Sequence, residues 1–153
     1  MSENPKEKAL SVAAAVLNYK NRSSRKLYDR LLEKGIEPED AEYAIERLRG
    51  FGYLDDGEYA RGILRTCEAK GWGRERIRRK MQEEKLTEDL IEQVLEGYVL
   101  NEDRLDGFIA AQGCDLSDPK QRKKLSDKLY RRGYSWEEIG AALRRCRTDV
   151  YED

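Results

Sequence analysis

The chain has 153 residues, of which 40% are charged and 39% hydrophobic, and its formal net charge is -1. This length suits one ordinary domain or a few small units that share a core. The absence of histidine removes the usual general base and a usual zinc ligand, and the near-neutral charge argues against very tight non-specific binding to nucleic acid.

The composition, rich in Ala, Leu, Glu, Lys and Arg, favours helix, and no segment alternates apolar and polar residues as a half-buried strand would. The sequence therefore predicts an all-α fold. Apolar segments at roughly residues 6–20, 56–70 and 102–112 predict three helices, each followed by a pair of shorter ones.

The helix pairs belong to a repeat. Residues 25–48, 75–98 and 123–146 align without gaps at offsets of 50 and 48 residues, a period typical of helical repeats. Apolar residues coincide at five positions, namely Leu27, Ile77 and Leu125; Leu31, Met81 and Leu129; Ile36, Leu86 and Tyr134; Ala41, Ile91 and Ile139; and Ile45, Leu95 and Leu143.

Helix ends can be read within each repeat. Gly35 and Gly133 occupy the position where a helix commonly ends in a left-handed residue, and Lys85 occupies it in the middle repeat, so that helix end is expected to be less favourable.

Starts of the third helices follow those ends. Thr87 is a good N-cap, Ser135 forms a capping box with Glu138, and the first repeat has Glu37 in the cap position followed by Pro38. The third helices are expected to bury stripes such as Ile91, Leu95 and Tyr98.

The sequence therefore predicts three tandem three-helix repeats, at residues 1–54, 55–100 and 101–153. Because one such unit cannot bury its apolar face alone, we expect stacked repeats that form an elongated, curved, modular rod.

Asp55 and Asp56 are adjacent carboxylates that could bind a metal, act in acid–base catalysis or begin a helix. Asn101 and Glu102 occupy the matching position before the third repeat, and no series of further oxygen ligands follows either pair. A capping role is therefore favoured.

No catalytic motif, cofactor motif or targeting segment is apparent. Cys67, Cys114 and Cys146 are isolated from one another, which is typical of reduced cysteines in a cytoplasmic protein. The chain lacks a phosphate-binding glycine loop and a nucleophile motif, and its N-terminal segment is too short to span a bilayer. We expect no enzymatic activity, no cofactor, no bound metal and no membrane association.

Charge is strongly segregated along the chain. Residues 70–85 carry a net charge of +4 and residues 120–147 a net charge of +7, whereas residues 37–58 and 86–106 each carry -6. The basic second helices could bind a partner, or they could simply neutralise the acidic third helices. The excess in the third repeat, which extends to Arg144, Arg145 and Arg147, favours interaction.

The predicted contact residues for a partner protein or DNA are basic side chains of the second helices. They are Arg74, Arg76, Arg78, Arg79, Lys80, Lys123, Lys124, Lys128, Arg131 and Arg132. With Ile77, Met81, Leu125 and Leu129 on the buried side, Arg76, Arg79, Lys123, Lys124 and Arg131 are expected to point outward.

Large aromatic residues lie near the joints between helices. Tyr53, Tyr59, Trp72, Tyr134 and Trp136 are expected to fill gaps between packed helices. Trp72, beside arginines, could instead stack on a base or a partner side chain, although packing is favoured.

Four segments carry a family resemblance. YLDDGEYA (53–60), KGWGRERIRRKMQEEKLTEDLI (70–91) and KLYRRGYSWEEIGAAL (128–143) resemble the RecX family of RecA regulators, as does RSSRKLYDRLLEKGI (22–36). The resemblance extends roughly from Ala9 to Arg147, and Lys85 departs from the Lys-Gly or Arg-Gly helix end that the family favours.

The resemblance implies a three-repeat, nine-helix protein that is not an enzyme. It implies binding to the groove of the RecA–DNA filament and modulation, usually inhibition, of RecA's ATPase, strand-exchange and co-protease activities. Single- or double-stranded DNA is a further expected partner, and nothing in the sequence indicates a dimer interface, so a monomer is expected.

Two other functions fit the same sequence. A helical DNA-binding protein could use the basic helices without RecA, since short helices joined by a glycine turn resemble helix-turn-helix pieces. A scaffold for an unrelated protein partner would be equally compatible with the repeats.

Overall fold

A computed structural model describes the backbone of residues 4–151 and the side chains of residues 4–147. In this part of the chain all the regular structure is helical, without a strand, which confirms the all-α prediction. The helices there are α1 (Pro5–Tyr19), α2 (Ser24–Glu33), α3 (Pro38–Gly50), α4 (Asp56–Ala69), α5 (Arg74–Glu83), α6 (Glu88–Leu95), α7 (Glu102–Ala111), α8 (Pro119–Arg131) and α9 (Trp136–Tyr151).

The aligned apolar positions of the repeat form the core. Fourteen of the fifteen are buried, and the remaining one, Ile36, is half-buried. The spacing of four residues places Leu27 with Leu31 on α2 and Ile77 with Met81 on α5, and all four are fully buried. The apolar residues that recur in the sequence therefore mark the buried faces of the helices.

The helices pack into two compact units. The N-terminal unit comprises Met1–Ile63 and Lys80–Val94, and the C-terminal unit comprises Leu64–Arg79 and Leu95–Asp153. The predicted second repeat, residues 55–100, contributes to both. These packing units and the sequence repeats are two different divisions of the chain.

In the N-terminal unit, α1 packs mainly against α3. The contact is made by small side chains, because Ala9 and Ala13 of α1 and Ala41 and Ala44 of α3 are all fully buried. Alanine lets two helix backbones approach closely without a loss of side-chain entropy.

In the C-terminal unit, α7, α8 and α9 share an apolar cluster of Leu105, Ile109, Leu125, Leu129, Tyr134, Ile139, Ala142 and Leu143. A polar contact supports it at the edge. Arg145 donates from Nε and Nη2 to the two carboxylate oxygens of Asp106 at 3.0 and 2.8 Å. Bidentate hydrogen bonds between charged groups are stronger than bonds between neutral ones, and this pair joins α9 to α7.

The second helix of every repeat ends in the same way. Gly35, Lys85 and Gly133 have φ values of 84°, 58° and 105°. The next residue donates its backbone N–H to a carbonyl five residues back, as Leu86 does to Met81 at 3.2 Å. Lys85 thus adopts the left-handed backbone conformation that glycine commonly occupies. This conformation is strained for lysine because its Cβ lies too close to the following carbonyl oxygen.

The third helices begin as the sequence predicts. Ser135 and Glu138 form the capping box, with reciprocal bonds of 2.9 and 3.1 Å, and Thr87 Oγ1 accepts from the N–H of Leu90 at 3.3 Å. Glu37 makes no side-chain cap bond. The expectation that Tyr98 belongs to the stripe of α6 is wrong, because that helix ends at Leu95.

Asp55 and Asp56 have different structural roles. The carboxylate of Asp55 accepts from the N–H of Glu58 at 3.1 Å and so caps α4, as predicted. The carboxylate of Asp56 accepts from the backbone N–H and hydroxyl of Ser24 at 2.8 and 3.1 Å, which joins the start of α4 to the start of α2. Both carboxylates are therefore structural.

Candidate functional site

The first half of α5 carries four of the predicted contact residues, and its buried side fixes their directions. Ile77 is fully buried, so Arg79 points into solvent. Arg78 and Arg74 are half-buried, and their guanidinium groups lie 3.5 and 3.9 Å from the carboxylate of Glu75. Among these arginines Arg79 is the most accessible to a partner.

Arg76 covers an aromatic ring. Its guanidinium carbon lies 3.8 Å from the centroid of Trp72, and Lys70 Nζ lies 5.3 Å from the same ring. Such cation–π contacts stabilise by about 0.5–2 kcal/mol, depending on exposure. The outward direction predicted for Arg76 is wrong, because the side chain is half-buried over Trp72. Trp72 therefore packs within the protein, which is the role that the sequence favours for it.

Lys80 belongs to a network in the N-terminal unit. The Glu84 carboxylate lies 3.2 Å from Lys80 and 3.5 Å from Lys26, and accepts from the hydroxyl of Tyr59 at 3.1 Å. Burial alone would raise the pKa of Glu84, but the bond from Lys80 and the charge of Lys26 leave that pKa below its ordinary value. Burial and the adjacent Glu84 raise the pKa of Tyr59 to about 12.

Helix α8 carries the densest positive charge, with six Lys or Arg and a single Asp between Pro119 and Arg131. Leu125 and Leu129 face the core, and Lys123, Lys124 and Arg131 are exposed as predicted. Lys123 lies 3.4 Å from Asp127 one turn along the helix. An exposed pair of this kind contributes little to stability.

Lys128 and Arg132 are partly engaged within the C-terminal unit. Lys128 Nζ donates to Gln112 Oε1 at 2.8 Å and lies over the ring of Phe108. Arg132 Nη2 donates to the carbonyl of Lys70 at 3.0 Å, and its guanidinium carbon lies 4.4 Å from the Phe108 centroid. Arg132 therefore fastens the end of α8 to the end of α4, a structural role that the sequence did not indicate.

Three of the ten predicted residues are exposed and make neither an ion pair nor a side-chain hydrogen bond with the described part of the chain. Within the described residues, no ion pair or hydrogen bond engages the side chains of Arg79, Lys124 and Arg131. We call these residues the open cations. All three belong to the C-terminal unit, and positive charge without an internal partner is available to an anionic one.

The basic excess predicted for α9 is partly neutralised. Arg145 is held by Asp106, and Glu102 lies 3.8 Å from its guanidinium. The hydrogen bonds to Asp106 raise the pKa of Arg145 above its ordinary value. Arg147 is exposed at the rim of a cavity of about 390 Å³ that also borders Cys114 and Cys146.

The aromatic residues divide into buried and exposed ones. Tyr134 is buried and its hydroxyl donates to the carbonyl of Gly71 at 2.7 Å, as expected for a joint residue. Tyr53 and Trp136 are 73% and 54% exposed, so gap filling is the wrong prediction for them. Trp136 instead stacks on Tyr130, a residue that the sequence analysis did not single out.

Over the described residues, no group of three or more acidic or cysteine side chains is arranged to hold a metal ion. No helix in the same part of the chain is both long and apolar enough to cross a bilayer.

Comparison with known proteins gives the same three-part order. Residues 9–48 match the RecX first three-helix domain, residues 55–95 match the second, and residues 110–143 match the third. These matches cover most of the chain.

Full-length relatives and a solved structure agree with the domain matches. The chain is 30% identical to regulatory protein RecX of Pelodictyon phaeoclathratiforme, over 94% of this chain and 92% of that protein. It is 33% identical to regulatory protein RecX of Xanthomonas campestris, over 86% and 83% of the two chains. The crystal structure of RecX from Lactobacillus salivarius superposes with a TM-score of 0.80 at 18% identity, over 94% and 97%, and so shares the fold. The chain belongs to the RecX family.

Proposed function

We propose that this protein binds the RecA nucleoprotein filament as a monomer and lowers RecA's ATPase, strand-exchange and co-protease activities. The observation that carries the proposal is the order of three RecX three-helix domains along the chain. Relatives that it matches over most of their length are named regulatory protein RecX. The place of action is the cytoplasm, where such filaments form.

The open cations support a binding role. Arg79, Lys124 and Arg131 are exposed and make no ion pair among the described residues. They differ in this from Lys80, which is paired with Glu84, and all three belong to the C-terminal unit. Unpaired cations attract anionic groups, and a nucleoprotein filament contains such groups in the phosphates of its DNA.

RecA's single-stranded-DNA-dependent ATP hydrolysis tests the proposal. RecA from the same source is assembled on DNA, and this protein is titrated in as wild type or as the triple variant Arg79→Glu, Lys124→Glu, Arg131→Glu. We expect the wild type to lower ATP hydrolysis even when far less than one copy of it is present per RecA monomer. The triple variant is expected to need at least about tenfold more protein for the same effect, because it repels an anionic partner.

A second triple variant controls for net charge. Lys8, Lys20 and Lys34 are exposed and unpaired within the described residues, and reversal of all three changes the formal charge by the same amount. This variant is expected to inhibit like the wild type. Unchanged ATP hydrolysis at saturating folded wild-type protein would contradict the proposal.

Direct DNA binding without RecA is a second candidate function. It is favoured by α8, where six basic residues accompany a single acidic one. Steeply salt-dependent binding to naked DNA, combined with no effect on RecA, would support it over the filament proposal.

A further inference from the structure

Tyr130 and Trp136 form an exposed stacked pair. Their ring centroids lie 4.3 Å apart with an interplanar angle of 4°, and the two side chains are 51% and 54% exposed. Tyr130 lies in the last turn of α8 and Trp136 is the first residue of α9, so the short turn between the helices fixes both. We call this pair the aromatic platform. Two large parallel rings in solvent leave an apolar surface uncovered.

Two other groups of exposed or half-buried rings are arranged differently. Trp72 has the guanidinium of Arg76 over its face at 3.8 Å. Phe51 and Tyr53 are tilted by 55° at 6.2 Å, and Arg47 lies over the Phe51 ring. The aromatic platform differs from both, because its rings are parallel and no cation–π contact covers either of them within the described residues.

The helix that carries the platform is basic. Tyr130 follows Lys120, Lys123 and Asp127 at spacings that place all four on one side of α8, and Lys124 and Arg131 lie on the adjacent side. The acidic groups nearby in sequence are Asp127, which is paired with Lys123, and the two glutamates that follow Trp136. Of these glutamates, Glu138 is half-buried and accepts from the backbone N–H of Ser135, and Glu137 is exposed. Lys124 and Arg131, two of the open cations, remain available to an anion.

This combination selects one class of partner. An open ring face stacks on a flat unsaturated group, and an adjacent unpaired cation binds a phosphate. Bases of a duplex are stacked on one another and cannot reach such a face, whereas bases of a single strand can. An acidic peptide would use the cations but has no planar group for the rings beyond its own aromatic residues.

We propose that the aromatic platform binds single-stranded nucleic acid. An unpaired base stacks on the open ring surface, and Lys124 and Arg131 contact the flanking phosphates. This inference rests on the proposed function, since it names a contact that the protein would make with the DNA strand of the filament.

Tryptophan fluorescence tests the contact directly, because the chain has only 2 tryptophans. In Trp72→Phe the remaining signal comes from Trp136, and in Trp136→Phe it comes from Trp72. Titration with a thymidine oligonucleotide of about 20 nucleotides, which is longer than the roughly 4–16 nucleotides that a single-strand-binding fold commonly covers, is expected to quench the first variant strongly. The second is expected to change little. Equal quenching of both variants, or none in Trp72→Phe, would overturn the proposal.

Affinities of Ala variants provide a quantitative measure. Trp136→Ala and Tyr130→Ala are expected to weaken binding of the labelled oligonucleotide by about 5- to 100-fold, the range of one base–aromatic stack. Phe51→Ala is the matched control, because Phe51 is also 54% exposed, and it is expected to bind within about twofold of wild type. Lys124→Ala is expected to reduce the slope of log K against log salt by about 0.7, whereas Trp136→Ala leaves that slope unchanged.

The outcomes separate this inference from the proposed function. If Trp136→Ala keeps its affinity for the single strand while the wild type inhibits RecA, the platform inference fails and the proposed function stands. If the wild type binds the single strand through Trp136 but leaves RecA unaffected, the proposed function fails and the platform stands. Equally tight binding of a duplex through Trp136 would overturn the choice of single-stranded nucleic acid.

Discussion

Gly73 and Gly133 lie in direct backbone contact in the C-terminal unit. The N–H of Gly73 donates to the carbonyl of Arg132 at 2.8 Å, and the carbonyl of Gly133 accepts from the N–H of Glu75 at 3.1 Å. A Cβ added to Gly73 would lie 2.5 Å from the backbone nitrogen of Tyr134. The start of α5 therefore meets the end of α8 with no room for a side chain.

Substitution Gly73→Ala is expected to lower the free energy of unfolding by about 1–3 kcal/mol, because the added methyl group meets backbone atoms that cannot rotate away. Urea denaturation followed by circular dichroism measures the change. Gly107→Ala is the control. Gly107 lies inside α7 with nothing within 4 Å of an added Cβ, so alanine should raise stability by about 0.5–1 kcal/mol. Equal effects at the two glycines would contradict the close contact.

The N-terminal unit has the matching joint with different chemistry. Ser23 corresponds to Gly73 and Glu84 to Arg132 under the repeat offsets. Here the hydroxyl of Ser23 donates to the carbonyl of Glu84 and also accepts from the N–H of Lys26 at 3.2 Å, so a side chain makes the bond that a backbone N–H makes in the other joint.

Ser23→Ala is expected to cost about 2 kcal/mol, because it removes an N-cap and also leaves a part-buried carbonyl without its donor. Thr87→Ala removes an exposed N-cap and no second bond, so its expected cost is about 0.5–1 kcal/mol. Thermal unfolding of the two variants gives the comparison. A Ser23 variant no less stable than the Thr87 variant would show that the bond to Glu84 has no net value.

Lys85 combines an unfavourable conformation with a compensating ion pair. Its φ is 58°, and its ammonium group is paired with the carboxylate of Asp29. Glycine relieves about 1 kcal/mol of conformational cost, and loss of the exposed pair costs about 0–1 kcal/mol. Lys85→Gly is therefore expected to be more stable than Lys85→Ala by about 1 kcal/mol in denaturant titrations. The reverse order would rule out the glycine-like helix end.

The same pair predicts a pH dependence. The hydrogen bond from Lys85 lowers the pKa of Asp29 below its ordinary 3.8. A lowered carboxylate pKa stabilises the fold above the pKa of the unfolded chain, and that contribution is lost as pH falls through the folded value. The stability of Lys85→Gly relative to wild type should therefore increase as the pH becomes acidic, because only the wild type loses the contribution of the pair. A pH-independent difference would indicate that the pair contributes nothing.

The pKa of Glu68 is shifted in the opposite direction to that of Asp29. Burial raises its pKa above the ordinary 4.5, and its Oε1 lacks a hydrogen-bond partner among the described residues. The fold therefore disfavours the ionised form, and the penalty develops as pH rises above 4.5 and through the raised pKa. Glu68→Gln should match wild type at low pH and exceed its stability at pH 7.

Glu84→Gln serves as the contrasting variant for that measurement. The pKa of Glu84 is lowered, so its carboxylate stabilises the fold at neutral pH and stops doing so as pH falls through the lowered value. The glutamine variant should be less stable than wild type at pH 7, with the difference vanishing in acid. Stability curves of the same shape for the two variants would contradict these assignments.

Much of the fold was readable in the sequence because local signals and burial agree. The first helices were expected at residues 6–20, 56–70 and 102–112 and lie at 5–19, 56–69 and 102–111. Tyr98 shows the limit, since apolar spacing continued past the point where α6 ends.

The surface was harder to predict, because charge and ring type do not reveal tertiary partners. Arg131 and Arg132 are adjacent arginines, yet one is exposed and the other donates to the carbonyl of Lys70, 62 positions away in sequence. Trp136 looked like a joint residue, but the turn after α8 places it on Tyr130 in solvent. The first distinction depends on a contact between residues far apart in sequence, and the second depends on the geometry of a turn. Neither can be inferred from charge or ring type alone.

The proposed binding to the RecA filament is tested most directly by sedimentation with preassembled RecA–DNA filaments. Labelled wild-type protein and the variant with Arg79, Lys124 and Arg131 reversed to Glu are sedimented with filaments, with RecA alone and with DNA alone. We expect the wild type to co-sediment more tightly with filaments than with either component, and the variant to lose most of that binding. Equal partition of wild type and variant, or wild-type binding to DNA alone that matches filament binding, would contradict the account.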